Sequence, residues 1–215
     1  MKYKAIIFDL DGTLTDTLAD LTDSVNFALL SLGFPQRSQE EIRSFVGNGV
    51  KKLVYLSVPQ NTSDDVSEKC LNIFKEHYKE HSCIKTKPYE GITELLTELK
   101  NKGIKTAVVT NKMHSAAVDI VKKFFGNLID VTVGQQDGLP QKPQPDSVYK
   151  ALEILGISKE NAVYTGDSEV DCITAKNADI PCVGVTWGFR SRKVLESNGA
   201  DYIVDNPCEI INLIK

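Results

Sequence analysis

Residue patterning predicts an α/β protein: a doubly wound, Rossmann-like parallel sheet with a small all-helical domain inserted after its first strand. Three observations carry that expectation. Tyr3-Lys4-Ala5-Ile6-Ile7-Phe8 is a short apolar run of the kind buried in a parallel sheet, and it leads into an acidic turn, Asp9-Leu10-Asp11-Gly12-Thr13-Leu14-Thr15-Asp16. From Gly91 onward, helical stripes alternate with β-rich runs, the rhythm of parallel βα units. Between these parts, residues 16–84 show helical periodicity only. The expected division is a core domain of residues 1–15 and 85–215 and a helical domain of residues 16–84.

The elements follow in order. Leu18, Leu21, Val25, Ala28 and Leu32 recur at helical spacing, and Gly33 with Pro35 ends that helix. Ser38 with Glu41 forms a capping box for a second helix through Phe45. After Gly47-Asn48-Gly49, the spacing of Val50, Leu53, Val54 and Leu56 predicts a third. Thr62 or Ser63 caps a fourth, with Val66, Cys70, Ile73, Phe74, His77 and Tyr78 on one face. In the second part, Ile92, Leu95, Leu96 and Leu99 form a helical stripe closed by Gly103. Strands are expected at 105–110, 130–134, 162–165, 182–185 and 202–204. Helices are expected at 113–124, up to Gly156, at 170–178 and after Pro207. Asp179 stands at a helix C-terminus, where the chain favours a left-handed residue that Asp adopts at some cost.

Composition narrows the class. At 215 residues the chain accommodates one ordinary domain and a small insert. A formal net charge of −4 lacks the basic footprint of a nucleic-acid binder. No apolar run reaches membrane-spanning length, and the first residues enter a strand rather than a signal-peptide pattern. The five cysteines are scattered without metal-type pairing and fit thiols in a reducing, cytoplasmic setting. A monomer or homodimer is expected.

Chemistry concentrates after the strands. Asp9 falls at the carboxyl end of the first strand, where open α/β sheets collect ligands, and Asp11 projects to the same side. Gly12 permits a sharp turn and close approach of a ligand. Two carboxylates so close repel unless a cation joins them, and hard oxygen ligands suit Mg²⁺. Thr110 follows the 106–109 strand with a hydroxyl for a phosphate oxygen, and the Asn111 N–H is expected at the start of a helix. Lys142 lies in Lys-Pro-Gln-Pro-Asp, where prolines stiffen the backbone around a placed charge. Asp167 ends another strand, and Asp171 one helical turn on implies a metal or a lysine to offset like charges.

In order and type these pieces resemble the four motifs of the haloacid dehalogenase superfamily, and Asp-Leu-Asp-Gly-Thr-Leu-Thr-Asp is similar to its phosphoglycolate-phosphatase-like branch. The resemblance implies that Asp9 is a nucleophile that becomes phosphorylated and that Asp11 is the general acid and base. It implies Mg²⁺ held by Asp9, the Asp11 backbone carbonyl and Asp167, with Thr110 and Lys142 holding the phosphoryl group. Asp171 would orient Lys142 or a metal-bound water, and Asn111 and Gly12 would support the site. The helical insert resembles the family's cap. Its Arg-x-x-x-Gly-x-Gly pattern makes Arg43, Gly47, Asn48, Gly49 and Lys51 candidates for binding the substrate's other end, with a plain inter-helix turn as the alternative.

The implied protein is a Mg²⁺-dependent phosphatase of a small anionic metabolite, foremost 2-phosphoglycolate, with no nucleic-acid or membrane partner. An inorganic pyrophosphatase or a phosphomutase of the same fold is the first rival. A non-catalytic binding or regulatory protein is the second, against which the retained Asp9 and Lys142 argue.

Overall fold

The computed structural model describes residues 3–213. Its centre is a six-stranded, wholly parallel sheet formed by β1 (Ala5–Phe8), β4 (Lys105–Met113), β5 (Val131–Gln135), β6 (Ala162–Gly166), β7 (Cys182–Val185) and β8 (Tyr202–Val204). The order is β5-β4-β1-β6-β7-β8, so β1 sits between the two halves. Chain direction reverses its march across the sheet there, which opens a crevice beyond the carboxyl ends of β1, β4 and β6.

Period-2 alternation sorts the strand side chains onto two buried faces. Ile6, Phe8, Val108, Val163, Val183 and Val185 pack with the apolar stripes of α5 (Ile92–Asn101), α6 (His114–Phe124) and α10 (Pro207–Leu213). Ala5, Ile7, Ala107, Val109, Ala162 and Tyr164 pack beneath α7 (Asp146–Leu155), α8 (Glu169–Ala178) and Leu195 of α9 (Arg192–Ser197). Burial on both faces is why these strands read as continuous apolar runs.

The insert comprises α1 (Leu18–Ser31), α2 (Gln39–Phe45), α3 (Gly49–Ser57) and α4 (Asp64–His81), closed around Leu21, Val25, Leu29, Ile42, Leu53, Val54, Phe74 and Tyr78. The capping box opening α2 forms as expected: Glu41 N–H donates to Ser38 Oγ, and Ser38 N–H donates to the Glu41 carboxylate. A two-stranded antiparallel ribbon, β2 (Thr15–Asp16) with β3 (Lys87–Pro88), brings the two connections to the core side by side. Beside it the buried Asp20 carboxylate accepts the N–H groups of Lys85 and Thr86. Neither this ribbon nor α9 was anticipated from sequence; each is too short to show a period.

One expected boundary shifts with consequence. β4 runs to Met113 with a register irregularity between Val109 and Met113, and α6 begins only at His114. Asn111 therefore lies in the irregular end of a strand and not at a helix start. At the other end of α8, Asp179 does adopt the left-handed conformation (φ 56°), with its carboxylate 2.7 Å from Lys159.

Candidate active site

The crevice at the reversal point collects the residues that follow three strands. Phe8 pairs with Val108 on one side and Thr165 on the other, so Asp9, Thr110 and Asp167 emerge next to one another. Asp9 N–H is fixed by the Thr165 carbonyl at 2.9 Å. Lys142 arrives from the loop after β5, and Asn111 secures it: the Asn111 Oδ1 accepts the Lys142 N–H at 2.8 Å, and its Nδ2 donates to the Lys142 carbonyl at 3.0 Å.

Lys142 is the electrostatic hinge of the site. Its Nζ lies 2.9 Å from Asp9 Oδ1 and 2.7 Å from Asp171 Oδ1, with all three side chains buried. It also donates to the Tyr164 hydroxyl at 3.0 Å. Burial works against the ammonium, but Asp171 and Asp9 outweigh it and hold its pKa well above the ordinary value. Of the two partners proposed for Asp171, the structure supplies the lysine. Asp171 Oδ2 meanwhile accepts from Ser168 N–H and Oγ, a capping box that starts α8. Both oxygens of Asp171 are thereby engaged.

Asp9 is less satisfied. Although Oδ1 faces Lys142, it accepts no aligned hydrogen bond there, and burial pushes the Asp9 carboxyl up to about 7. Burial likewise drives Asp167 well above the carboxylate range, with Asp171 and Asp9 adding to the effect. Asp167 is held by Thr13 Oγ1 at 3.0 Å and Phe189 N–H at 2.7 Å. It is clasped between Gly12 and Gly188, where a Cβ on either glycine would collide with its carboxylate group. Carboxylate oxygens of Asp9, Asp167 and Asp171 fall within 4.8 Å of one another. An all-oxygen donor set with buried, under-neutralised carboxylates fits a hard divalent cation, with Asp9 the least satisfied of the three and Asp167, among the described residues, in no ion pair.

Thr110 is buried beside them, its Oγ1 accepting Lys112 N–H at 3.2 Å, so its own proton remains for a ligand. Lys112, only 4% exposed, was not singled out from sequence. Its Nζ reaches Asp11 Oδ1 at 3.0 Å and Oδ2 at 3.2 Å, and also donates to the hydroxyl of Tyr78 from α4. The signal was a lysine just past a buried strand whose end the sequence pattern placed at Thr110. Tyr164 was read as strand filling, yet it completes the seat of Lys142 and touches Asp171 at 3.2 Å.

The insert closes over these groups and leaves a cavity of about 40 Å³, lined on its side by Leu21, Val46, Gly47, Gly49, Val50 and Leu53. That volume holds a few water-sized groups. Gly47 and Gly49, with φ of 122° and 81°, take the positive values that glycine allows, and the Gly47 carbonyl accepts from Asn111 Nδ2 at 3.1 Å. Arg43, Asn48 and Lys51 do not line the cavity. The Arg43 guanidinium is spent on the Gly188 and Phe189 carbonyls, and Arg190 returns the contact to the carbonyls of Arg43 and Val46. Asn48 precedes α3 without a side-chain cap bond, and exposed Lys51 pairs with Glu68 at 3.6 Å. In this structure Arg43 thus joins the insert to the core, and Lys51 lies on the surface. Trp187 packs on the core and donates to the Thr13 carbonyl.

Sheet, insert and clustered carboxylates define a phosphate-handling hydrolase, and the chain belongs to the haloacid dehalogenase-like hydrolases, whose family model matches residues 6–185. Within that family the chain is an enzyme of the phosphatase type. It is 32% identical over 212 residues to a phosphoglycolate phosphatase of Aquifex aeolicus, covering 98% of this chain and 96% of that protein. It is 33% identical over 217 residues to a candidate pyrophosphatase of Caldanaerobacter subterraneus, covering 100% and 96%. A crystal structure of a candidate phosphoglycolate phosphatase from Lactobacillus delbrueckii superposes with a TM-score of 0.94 at 36% identity, covering 100% and 99%. Among the described residues no helix is long and apolar enough to cross a membrane.

Proposed function

We propose that this enzyme is a Mg²⁺-dependent phosphatase that hydrolyses 2-phosphoglycolate through an aspartyl-phosphate on Asp9. The observation that carries the reading is the position of Lys142, which faces Asp9 and is anchored from behind by Asp171. A lysine so placed neutralises a phosphoryl group at Asp9 without diffusing away from it.

In the first half-reaction an Asp9 carboxylate oxygen attacks phosphorus, the bond to the leaving oxygen breaks, and Asp11 gives that oxygen a proton. Lys142 and the Thr110 hydroxyl hold the phosphoryl oxygens throughout. In the second, Asp11 takes a proton from the water that attacks phosphorus, which releases inorganic phosphate and restores Asp9. Asp9, Asp167 and the Asp11 backbone carbonyl would hold the cation, which offsets the charge between carboxylate and phosphate. The helices between the two connections act as a cap, with residues 16–84 as its extent and 1–15 with 85–215 as the catalytic core. Asn111 and Gly12 support the site, the one by tying Lys142 to the cap and the other by making room for Asp167.

Phosphoglycolate is favoured by the names of the relatives and by the small cavity, which suits a two-carbon ester better than a sugar phosphate. Pyrophosphate is the second reading, because one relative of full length bears that assignment. A phosphate-release panel with and without Mg²⁺ tests both. The expected result is Mg²⁺-dependent turnover with kcat/KM highest for 2-phosphoglycolate; a higher value for pyrophosphate, or turnover without a divalent cation, contradicts the proposal.

A further inference from the structure

Asp11 is gripped by Lys112, which is itself held by Tyr78, and the two come from different parts of the chain. Lys112 comes from the irregular end of β4 and Tyr78 from the buried face of the cap helix α4. Lys112 supplies hydrogen bonds to both Asp11 oxygens, and Tyr78 in turn accepts from the same ammonium. Tyr78 is fully buried, stacked on Phe74 with ring centroids 5.2 Å apart, so its hydroxyl has little freedom. The Lys112 Nζ also lies 4.7 Å from the Tyr78 ring centroid. A buried lysine held on two sides is a fixed point, and Asp11 is oriented by it.

We propose that Lys112 and Tyr78 are positioning residues that set the direction of the Asp11 side chain for proton transfer, with the cap contributing through the tyrosine hydroxyl. The inference rests on Asp11 acting as proton donor to the leaving oxygen. Stability alone accounts poorly for the arrangement, since a buried ion pair is seldom more stabilising than apolar side chains of the same volume. The cluster also borders the reaction cavity, which both Asp11 and Lys112 line. Lys112 bridges both Asp11 oxygens, which fixes the plane in which the carboxylate lies. Proton transfer demands hydrogen-bond reach to the leaving oxygen, so a carboxylate free to rotate loses rate without losing substrate affinity.

The test uses the Mg²⁺-loaded enzyme and two esters without a second anion, phenyl phosphate and p-nitrophenyl phosphate, with 2-phosphoglycolate measured alongside. Their kcat/KM reports steps up to departure of the phenol, and only the poorer leaving group needs a proton. Lys112→Met should lower kcat/KM for phenyl phosphate by roughly tenfold to a hundredfold, a share of the general-acid contribution, and that for p-nitrophenyl phosphate by less than about threefold. Tyr78→Phe, which removes one oxygen and keeps the stack, should show the same selectivity at smaller size. It carries the test if Lys112→Met does not fold. In an Asp11→Asn background neither change should have a further selective effect. Equal losses on both esters, or selectivity that persists without Asp11, would overturn the proposal. So would a loss confined to 2-phosphoglycolate, which would make Lys112 a reader of its carboxylate. If Asp11→Asn is itself unselective, the acid role of Asp11 fails and the proposal with it; a selective Asp11→Asn beside unselective Lys112 and Tyr78 variants overturns the positioning role alone.

Discussion

Lys142 shows how much a single side chain organises here, because two buried carboxylates depend on it for their charge balance. Lys142→Met keeps length and removes the cation, leaving Asp9 and Asp171 uncompensated. The expected loss of kcat for 2-phosphoglycolate is at least about a hundredfold, the scale seen when one oriented electrostatic donor is removed. Steady-state kinetics on a variant whose circular dichroism matches wild type checks this, and a loss below about tenfold would deny Lys142 its phosphate-holding role. Asp9, Asp11, Thr110 and Asp167 were legible as candidates because each stands at or just past a strand's end, where topology alone collects ligands; Lys142 stood out between prolines and Asp171 by its helical spacing from Asp167. Lys112 and Tyr164 were not, since their meaning comes from partners 101 and 22 residues away and a strand pattern carries no trace of such pairings.

At the scale of elements, the strand ends and the clasp between cap and core decide the geometry. The β4 irregularity turns Asn111 toward Lys142 and Gly47 and brings Lys112 to Asp11, which a regular strand passing straight into a helix would not do. The sequence announced the strand through Thr106–Val109 but gave no sign of its irregular extension. Arg43 shows a related effect: a cation near the cap's Gly47–Gly49 turn suggests an anionic ligand, and in this structure backbone carbonyls of Gly188 and Phe189 receive it. Arg43→Ala should loosen closure for every substrate. KM is expected to rise by about tenfold for 2-phosphoglycolate and p-nitrophenyl phosphate alike, the equivalent of one or two charge-assisted hydrogen bonds. Measuring both constants separates the readings, for a rise limited to 2-phosphoglycolate would restore Arg43 as a substrate contact.

At the scale of the whole molecule, the site is a reservoir of unneutralised charge that the rest of the fold holds in place. Of the clustered Asp9, Asp167 and Asp171, Lys142 pairs with the first and third, and burial pushes Asp9 and Asp167 upward. Binding a divalent ion to the folded state alone should stabilise it by about 2.7 kcal/mol at a hundredfold excess over Kd. For a chain of this size that is a rise in Tm of roughly 5–10 °C. Asp167→Asn should abolish most of the rise while melting no lower than wild type without metal, because it removes one buried charge and keeps the shape. Calorimetry with Mg²⁺ and with EDTA reads both effects, and a full Mg²⁺ shift in Asp167→Asn would remove Asp167 from the cation site. Fold class was legible at this scale because βα alternation and a helix-only stretch are long-range patterns that survive local misreadings of boundaries.

The central claim is a covalent phosphoenzyme on Asp9, and rapid acid quench with phosphorus-labelled 2-phosphoglycolate addresses it most directly. During turnover with Mg²⁺, wild-type protein should carry an acid-stable, hydroxylamine-labile label on the peptide containing Asp9, and Asp9→Asn should carry none. Turnover without any labelled protein at early times, or label on a different residue, would contradict the account.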